Sequence, residues 1–265
     1  MFDLDYLQEG AIALLTLKRP PANAFTPDGL LALQETIGKL NAQSQVRSLI
    51  ITGDGPKFFS AGADLNAFAD GNRDVARTAA ARFGAAFETL QNARMVVIAA
   101  INGYAMGGGL ECALASDIRI AEEHAVMALP ETAVGLLPCG CGTQTLPWLV
   151  GEGWAKRMIL TGERVDAKTA LCVGLVEDVV DEGSSVEAAI KMAERVVNLS
   201  PQGVEYSKTL IHQARIGVPR AAALAVERER FVELFDHSNQ REGVNAFLEK
   251  RSPKWRTDTA QGVVT

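Results

Sequence analysis

Three consecutive glycines stand between a strand-like run and a helix-like run in the segment Ile101-Asn-Gly-Tyr-Ala-Met-Gly-Gly-Gly-Leu-Glu111. Before them, Met95 to Ile101 is a β-branched apolar run, the pattern of a short buried strand. After them, Leu110 to Ala115 is apolar and helix-like. Glycine has no Cβ to hold a neighbour away, so Gly107-Gly108-Gly109 lets backbone come close to whatever lies beside the junction. The first N–H groups of a helix have no internal partner and sit at the positive end of its dipole. Such a junction is either a tight turn of a helix packed on a sheet or a site for an anionic oxygen. The spacing is not G-x-G-x-x-G, so no dinucleotide fingerprint is present.

The rest of the chain repeats this alternation. Phe2 to Leu7 and Ala11 to Leu17 read as paired strands around Glu9-Gly10. Thr26-Pro27-Asp28 starts a helix with the apolar stripe Leu30, Leu31, Leu33, Ile37, Leu40. Arg47 to Thr52 and Asp117 to Ala121 read as strands, and the alanine-rich stretch Asn72 to Asn92 as a helix. Strands alternating with helices predict an α/β fold with a largely parallel sheet. After about Val180 the pattern is helical: Ser184 to Leu199, Pro201 to Ile216, Pro219 to Phe235 and Asn239 to Leu248. An α/β core over 1–195 and a C-terminal helical region over 196–265 follow. With 265 residues, 48% of them hydrophobic, such a chain can bury a large core.

Charge and cysteines narrow the function. The formal net charge is −6 and the Lys and Arg residues are scattered, which argues against a nucleic-acid partner. Cys112, Cys139, Cys141 and Cys172 match no zinc or disulfide spacing. Cys139 and Cys141 read as small buried residues, and no metal is expected. The N-terminus is acidic, without an apolar signal region, and no apolar run reaches the ~18 residues of a bilayer span. No membrane partner is expected, and a reduced cytoplasmic compartment is the economical reading. The histidines His124, His212 and His237 fall in no motif.

Two further segments bear on chemistry. Ser60-Ala61-Gly62-Ala63-Asp64-Leu65 is a run of small residues ending in an acid that can cap a helix. Two such junctions supply one N–H each, enough to polarise one carbonyl oxygen. Glu111 lies among apolar neighbours, and Glu131 follows Leu129-Pro130. A carboxylate in such company is either a surface residue or a buried group whose desolvation raises its pKa toward the range of proton transfer.

Together, INGYAMGGGLECALASDIRIA, FFSAGADL and ALPETAVGLLP resemble the enoyl-CoA hydratase/isomerase family, the crotonase fold, and the resemblance covers essentially the whole chain. It implies a spiral of β-β-α turns with C-terminal helices that form a homotrimer or a hexamer of two trimers. It implies an acyl-CoA thioester as substrate, coenzyme A being part of the substrate and no further cofactor being needed. By motif position the thioester oxygen is held by the N–H groups of Ala63 and Gly108. Glu111 and Glu131 match the two acids of the hydratases, which favours hydration of a 2-enoyl-CoA; the nearest alternative is Δ3-Δ2-enoyl-CoA isomerisation, and a binding-only member is a third reading. Ala22, Ala24, Ala61, Asp64, Leu65, Gly107 and Pro130 match positions along the CoA channel and site. Lys250, Arg251 and Lys254 are the best local cluster for a CoA phosphate, supplied by the same or a neighbouring subunit. The chain departs from the family after Glu131: Pro138-Cys-Gly-Cys-Gly-Thr-Gln144 carries cysteines at usually small positions. Cys139 falls where a glycine backbone often approaches the catalytic water. The acyl pocket is expected between residues 67–87 and the helix beginning near Thr143.

Overall fold

The computed structural model describes residues 1–215 and 217–256. Its strands are β1 (Phe2–Leu7), β2 (Ile12–Leu17), β3 (Ser48–Gly53), β4 (Phe58–Ser60), β5 (Val96–Ile101), β6 (Tyr104–Met106), β7 (Ile118–Glu122), β8 (Val126–Ala128), β9 (Val165–Asp166) and β10 (Asp178–Val180). Its helices are α1 (Pro27–Asn41), α2 (Arg73–Gln91), α3 (Gly108–Leu114), α4 (Gly142–Leu160), α5 (Ala167–Val173), α6 (Ser185–Val197), α7 (Pro201–Arg215), α8 (Arg220–Glu233) and α9 (Ser238–Leu248).

Strand alternation sorts the chain into two sheets. One has the order β1-β2-β3-β5-β7-β10, and the other β4-β6-β8-β9. The long sheet is parallel except for β1 against β2. The chain runs β3-β4-α2, then β5-β6-α3, then β7-β8-α4, with one strand of each sheet per turn. A first, abbreviated turn places Phe25 beside Ala63 in an isolated parallel bridge before α1. The structure thus has the spiral of β-β-α turns. Each turn leaves its short strand at the same edge, so the residues after Phe25, β4, β6 and β8 meet there.

Period-two burial holds the layers. Val97, Ala99 and Ile101 of β5 enter a core with α1 and α2, while Val96, Ile98 and Ala100 pack toward Ala189, Ala193 and Val196 of α6. Helix α1 starts as expected, the Thr26 side chain accepting the Gly29 N–H and Pro27 at its first position. Asn72 caps α2 by accepting the N–H groups of Asp74 and Val75. Burial of Phe83, Phe87 and Leu90 turns that helix onto the core.

Some boundaries differ from expectation. Helix α3 begins at Gly108 rather than Leu110, so two of the three glycines form its first turn and Gly107 precedes it. The four strands of the second sheet have three residues or fewer, too short for a visible alternation. Helix α7 is described to Arg215; Ile216, expected at its end, lies outside the described residues, as do residues 257–265 of the C-terminal region. Helices α7 and α8 bury no residue in this chain. Phe231, Val232, Phe235, Phe247 and Leu248 are all exposed.

Candidate active site

The strand ends of successive turns bring four segments together. Gly62 adopts φ +84°, and a Cβ there would stand 2.6 Å from the Met106 carbonyl oxygen and 2.8 Å from the Gly108 nitrogen. Only glycine allows the loop after β4 to lie this close to the loop after β6. Its neighbour Ala63 is therefore held beside Gly108. The Gly62 carbonyl accepts the Phe25 N–H and the Phe25 carbonyl accepts the Asp64 N–H, so the Ala63 N–H faces the other way. Among the described residues, neither the Ala63 N–H nor the Gly108 N–H donates a hydrogen bond. Two unengaged N–H groups on touching loops, one at a helix start, are thus available to an acceptor oxygen.

Other groups fix these loops. The buried Asn23 donates from Nδ2 to the carbonyls of Asp54 and Phe58. Ser60 Oγ donates to the Asn23 carbonyl and accepts the Gly62 N–H. The Ala61 N–H donates to the Ala22 carbonyl, which places Ala22 and Ala24 along the same edge. Asp64 caps the short 3-10 helix Leu65–Phe68 through the Asn66 N–H and pairs with Arg19 at 2.6 Å. The Arg19 hydrogen bond, then those from Asn66, hold the Asp64 carboxyl below its ordinary range. Leu65 is exposed at the rim.

Glu111 lies one turn into α3 and is 2% exposed. Its Oε1 accepts three consecutive N–H groups, from Gly140 at 2.9 Å, Cys141 at 2.9 Å and Gly142 at 2.8 Å. A Cβ on Gly140 would lie 2.5 Å from Phe87 Cδ2, so the peptide can reach Glu111 only because position 140 has none. Oε1 is thereby filled, and Oε2 is the oxygen with acceptor capacity left.

Glu131 begins the 3-10 helix Glu131–Val134, with Pro130 before it. Its carbonyl accepts the Leu136 N–H, and the neighbouring Thr132 hydroxyl donates to the Ile159 carbonyl, which pins the turn. The side chain points at the glycine junction: a Cβ on Gly107 would be 3.2 Å from Glu131 Oε1. Oε2 is enclosed and has no hydrogen-bond partner among the described residues. Burial raises the carboxyl to about 7, opposed by a backbone hydrogen bond and assisted by the charge of Glu111. An enclosed, unbonded carboxyl oxygen with such a pKa is equipped for proton transfer.

The structure brings together Ala63, Gly107, Gly108, Glu111, Pro130 and Glu131, with Ala22, Ala24 and Ala61 beside them. It corrects the reading of the cysteines. Cys139 is exposed and Cys141 half-buried, and the Cys141 N–H is one of the three that hold Glu111. Arg251 is engaged by Glu242 and Glu249, and the Lys254 N–H by Glu242. No hydrogen bond among the described residues joins 250–254, which include Lys250, to the loops at 22–24 or 61–65. Asn23, Gly140 and Gly142 were given no role by the sequence pattern, and Ser60 only a place in a run of small residues. The alternating glycines of Cys-Gly-Cys-Gly are the signal that marks Gly140 and Gly142. Phe83 and Phe87, in edge-on contact with Phe25 and with each other, wall the site from α2, within the expected pocket segment. Among the described residues no group of three or more His, Cys, Asp or Glu side chains could hold a metal ion.

Comparison with known proteins decides the family. The model of the enoyl-CoA hydratase/isomerase family matches residues 8–258. The chain belongs to the enoyl-CoA hydratase/isomerase family. A short-chain-enoyl-CoA hydratase of Clostridium acetobutylicum is 38% identical over 245 residues, covering 92% of this chain and 94% of the relative. A solved structure of DspI from Pseudomonas aeruginosa is 61% identical with a TM-score of 0.92, covering 96% of both chains. An enoyl-CoA hydratase structure from Bacillus anthracis gives a TM-score of 0.92 at 36% identity, covering 97% of this chain and 99% of that one. The spiral and the two-sheet edge described above are therefore those of a crotonase fold. Membership also accounts for the sequence pattern, in which the matched segments fall at the ends of the short strands.

Proposed function

We propose that the protein is an enoyl-CoA hydratase that adds water across the 2,3 double bond of a 2-enoyl-CoA. The observation that carries this reading is the pair of unlike carboxylates, Glu111 and Glu131, beside two unengaged N–H groups. The Ala63 and Gly108 N–H groups polarise the thioester oxygen. The water oxygen bonds to C3, and the double-bond electrons move through C2 to that oxygen as an enolate. Glu131 delivers a proton to C2 as the enolate collapses, and Glu111 Oε2 takes a proton from the water. The pair holds one proton before and after, so atoms and charge balance, and the two acids titrate as a unit. Loss of one N–H donor of this kind typically costs about 2.7–4 kcal/mol of barrier.

The same reading carries the finer assignments. Ala22, Ala24, Ala61, Asp64 and Leu65 line the approach for the CoA moiety, with Gly107, Pro130 and Cys139 beside the reacting carbons. Lys250 and Lys254 meet a CoA phosphate across a subunit boundary. The exposed apolar faces of the 196–265 helices are suited to self-association as a trimer or hexamer. Among the described residues no helix is long and apolar enough to cross a membrane.

The test is crotonyl-CoA. Loss of the conjugated enoyl-thioester absorbance, with 3-hydroxybutyryl-CoA identified as product, is expected. Conversion of 3-butenoyl-CoA to crotonyl-CoA with no hydration would replace this reading by isomerisation. Binding of both thioesters with turnover of neither would replace it by a non-catalytic role.

A further inference from the structure

The Ala63 N–H belongs to the main chain, so its direction is set by the backbone on either side of it. That backbone is zipped to residues 19–25. Before Ala63 the zipper is dense. The Ala61 N–H donates to the Ala22 carbonyl at 2.9 Å, and the Phe25 N–H to the Gly62 carbonyl at 2.7 Å. Ser60 Oγ adds a bond of 2.8 Å to the Asn23 carbonyl. After Ala63 a single backbone bond remains among the described residues, from the Asp64 N–H to the Phe25 carbonyl at 3.0 Å. The chain then enters the 3-10 helix Leu65–Phe68, which buries no residue.

The Arg19–Asp64 ion pair closes this weaker side. Asp64 Oδ2 accepts from Arg19 Nη2 at 2.6 Å. Its Oδ1 accepts the Asn66 N–H at 3.2 Å and Asn66 Nδ2 at 2.9 Å. One carboxylate thus ties the residue after Ala63 both to the start of the 19–25 segment and to the turn that follows. Arg19 is itself fixed, because its N–H donates to Asn23 Oδ1 and its carbonyl accepts the Asn23 N–H. Arg19 and Asp64 are 35% and 21% exposed at the side chain, and a pair as accessible as this adds little to global stability. Its effect is local. A misplacement of about 1 Å at a reacting group can cost on the order of 10²-fold in rate.

We propose that Arg19 is a positioning residue: through Asp64 it holds the Ala63 N–H beside the Gly108 N–H, and so sets how strongly the two polarise a thioester carbonyl. This role rests on the proposed acyl-CoA site, whichever reaction that site performs. A direct grip of Arg19 on a CoA phosphate would act differently, raising KM and leaving the bound carbonyl unchanged.

Butyryl-CoA, which is saturated and cannot be hydrated, is the probe. Its isotope-labelled thioester carbonyl is followed by infrared difference spectroscopy. Binding to the wild type should lower the carbonyl stretch, and Arg19→Gln should lose at least half of that shift. With crotonyl-CoA, kcat of Arg19→Gln should fall about tenfold or more while KM changes less than about twofold. Arg19→Lys should recover part of both losses. Asp64→Asn keeps an oxygen for Asn66 but loses the ion pair, so it should match Arg19→Gln, and the double variant should be no worse than either single one. The proposal is overturned by an undiminished shift in Arg19→Gln, by a change confined to KM, by additive losses in the double variant, or by loss of fold in both Arg19 variants, read by circular dichroism. No shift in the wild type would remove the acyl-CoA site and this role with it. A shift without hydration of crotonyl-CoA would count against the hydratase reading alone, and the loss of shift in Arg19→Gln would still decide the role.

Discussion

Glu111 and Glu131 lie at the same edge of the fold, but their surroundings are opposite. Glu111 sits in a regular helix, almost wholly enclosed, with three N–H groups on one oxygen. Glu131 sits in a four-residue 3-10 turn, half-buried, with one enclosed oxygen that has no hydrogen-bond partner among the described residues. Similar chemistry in the side chain is thus given two behaviours by the backbone around it. The anchored acid has a fixed direction. The unanchored one has a carboxyl lifted to about 7, the value that lets it exchange a proton near neutrality.

The widest gap should appear in activity. Glu131→Gln removes the transferable proton and should cost about 10²–10⁴-fold in kcat with crotonyl-CoA. Glu111→Gln should cost a similar factor by a different route, since an amide can still accept the three N–H groups and keep its place. Retained folding in both variants, read by circular dichroism, sharpens the contrast; collapse of Glu111→Gln would mean that the anchor needs the charge.

Next in size is the pH profile. A pair that carries one proton loses activity when that proton is lost. kcat/KM should therefore fall about tenfold per pH unit above about 7. Hydration and dehydration should share this limb, because the pair's proton count does not change across the reaction. A flat profile from pH 6 to 9 would break the distinction drawn between the acids.

Gly140→Ala attacks the anchored side alone. The new methyl would meet Phe87, and overpacking of this kind typically costs about 1–3 kcal/mol of stability. A thermal melt should show the loss, and the alkaline limb from Glu131 should stay in position. A shifted limb would indicate that the anchor also sets the second acid.

The smallest effect is on stability. The Glu131 carboxyl has a folded pKa above its unfolded value of 4.5, so the folded state binds more protons between the two. Stability then declines as pH rises from about 4.5 to about 7, and the penalty is constant above that. Glu131→Gln has no such penalty. After allowance for partial exposure, the variant should be about 1 kcal/mol more stable at pH 8 and equal to wild type at pH 4.5, as read by urea unfolding. A variant less stable than wild type at pH 8 would contradict the buried, unbonded oxygen.

The acids and the glycine junction were legible in the sequence because each lies within a few residues of a recognisable change of period. So were the long strands and the helix start at Thr26. The anchor of Glu111 was not: it joins residues 29 to 31 positions apart, and no local pattern records a hydrogen bond across that distance. Cys139 and Cys141 were misread as buried because their small size was weighed, whereas at 141 it is the main-chain N–H that holds Glu111. Asn23 carries no sequence signal of its own, although its buried amide ties three segments together. The short strands β4, β6, β8 and β9 are held by the spiral's stacking rather than by propensity, which leaves them almost without a sequence signature.

The contact of Gly62 with the backbone at 106–108 has a consequence for how such a protein can change. The N–H groups of Ala63 and Gly108 belong to the main chain, so replacing either residue's side chain does not delete them. Exchanging the carboxylate at 131 leaves both N–H groups in place, and an exchange at 111 must also satisfy the three N–H groups of residues 140–142. On the proposed mechanism the reaction would then be the variable part and the grip on the carbonyl oxygen the inherited one.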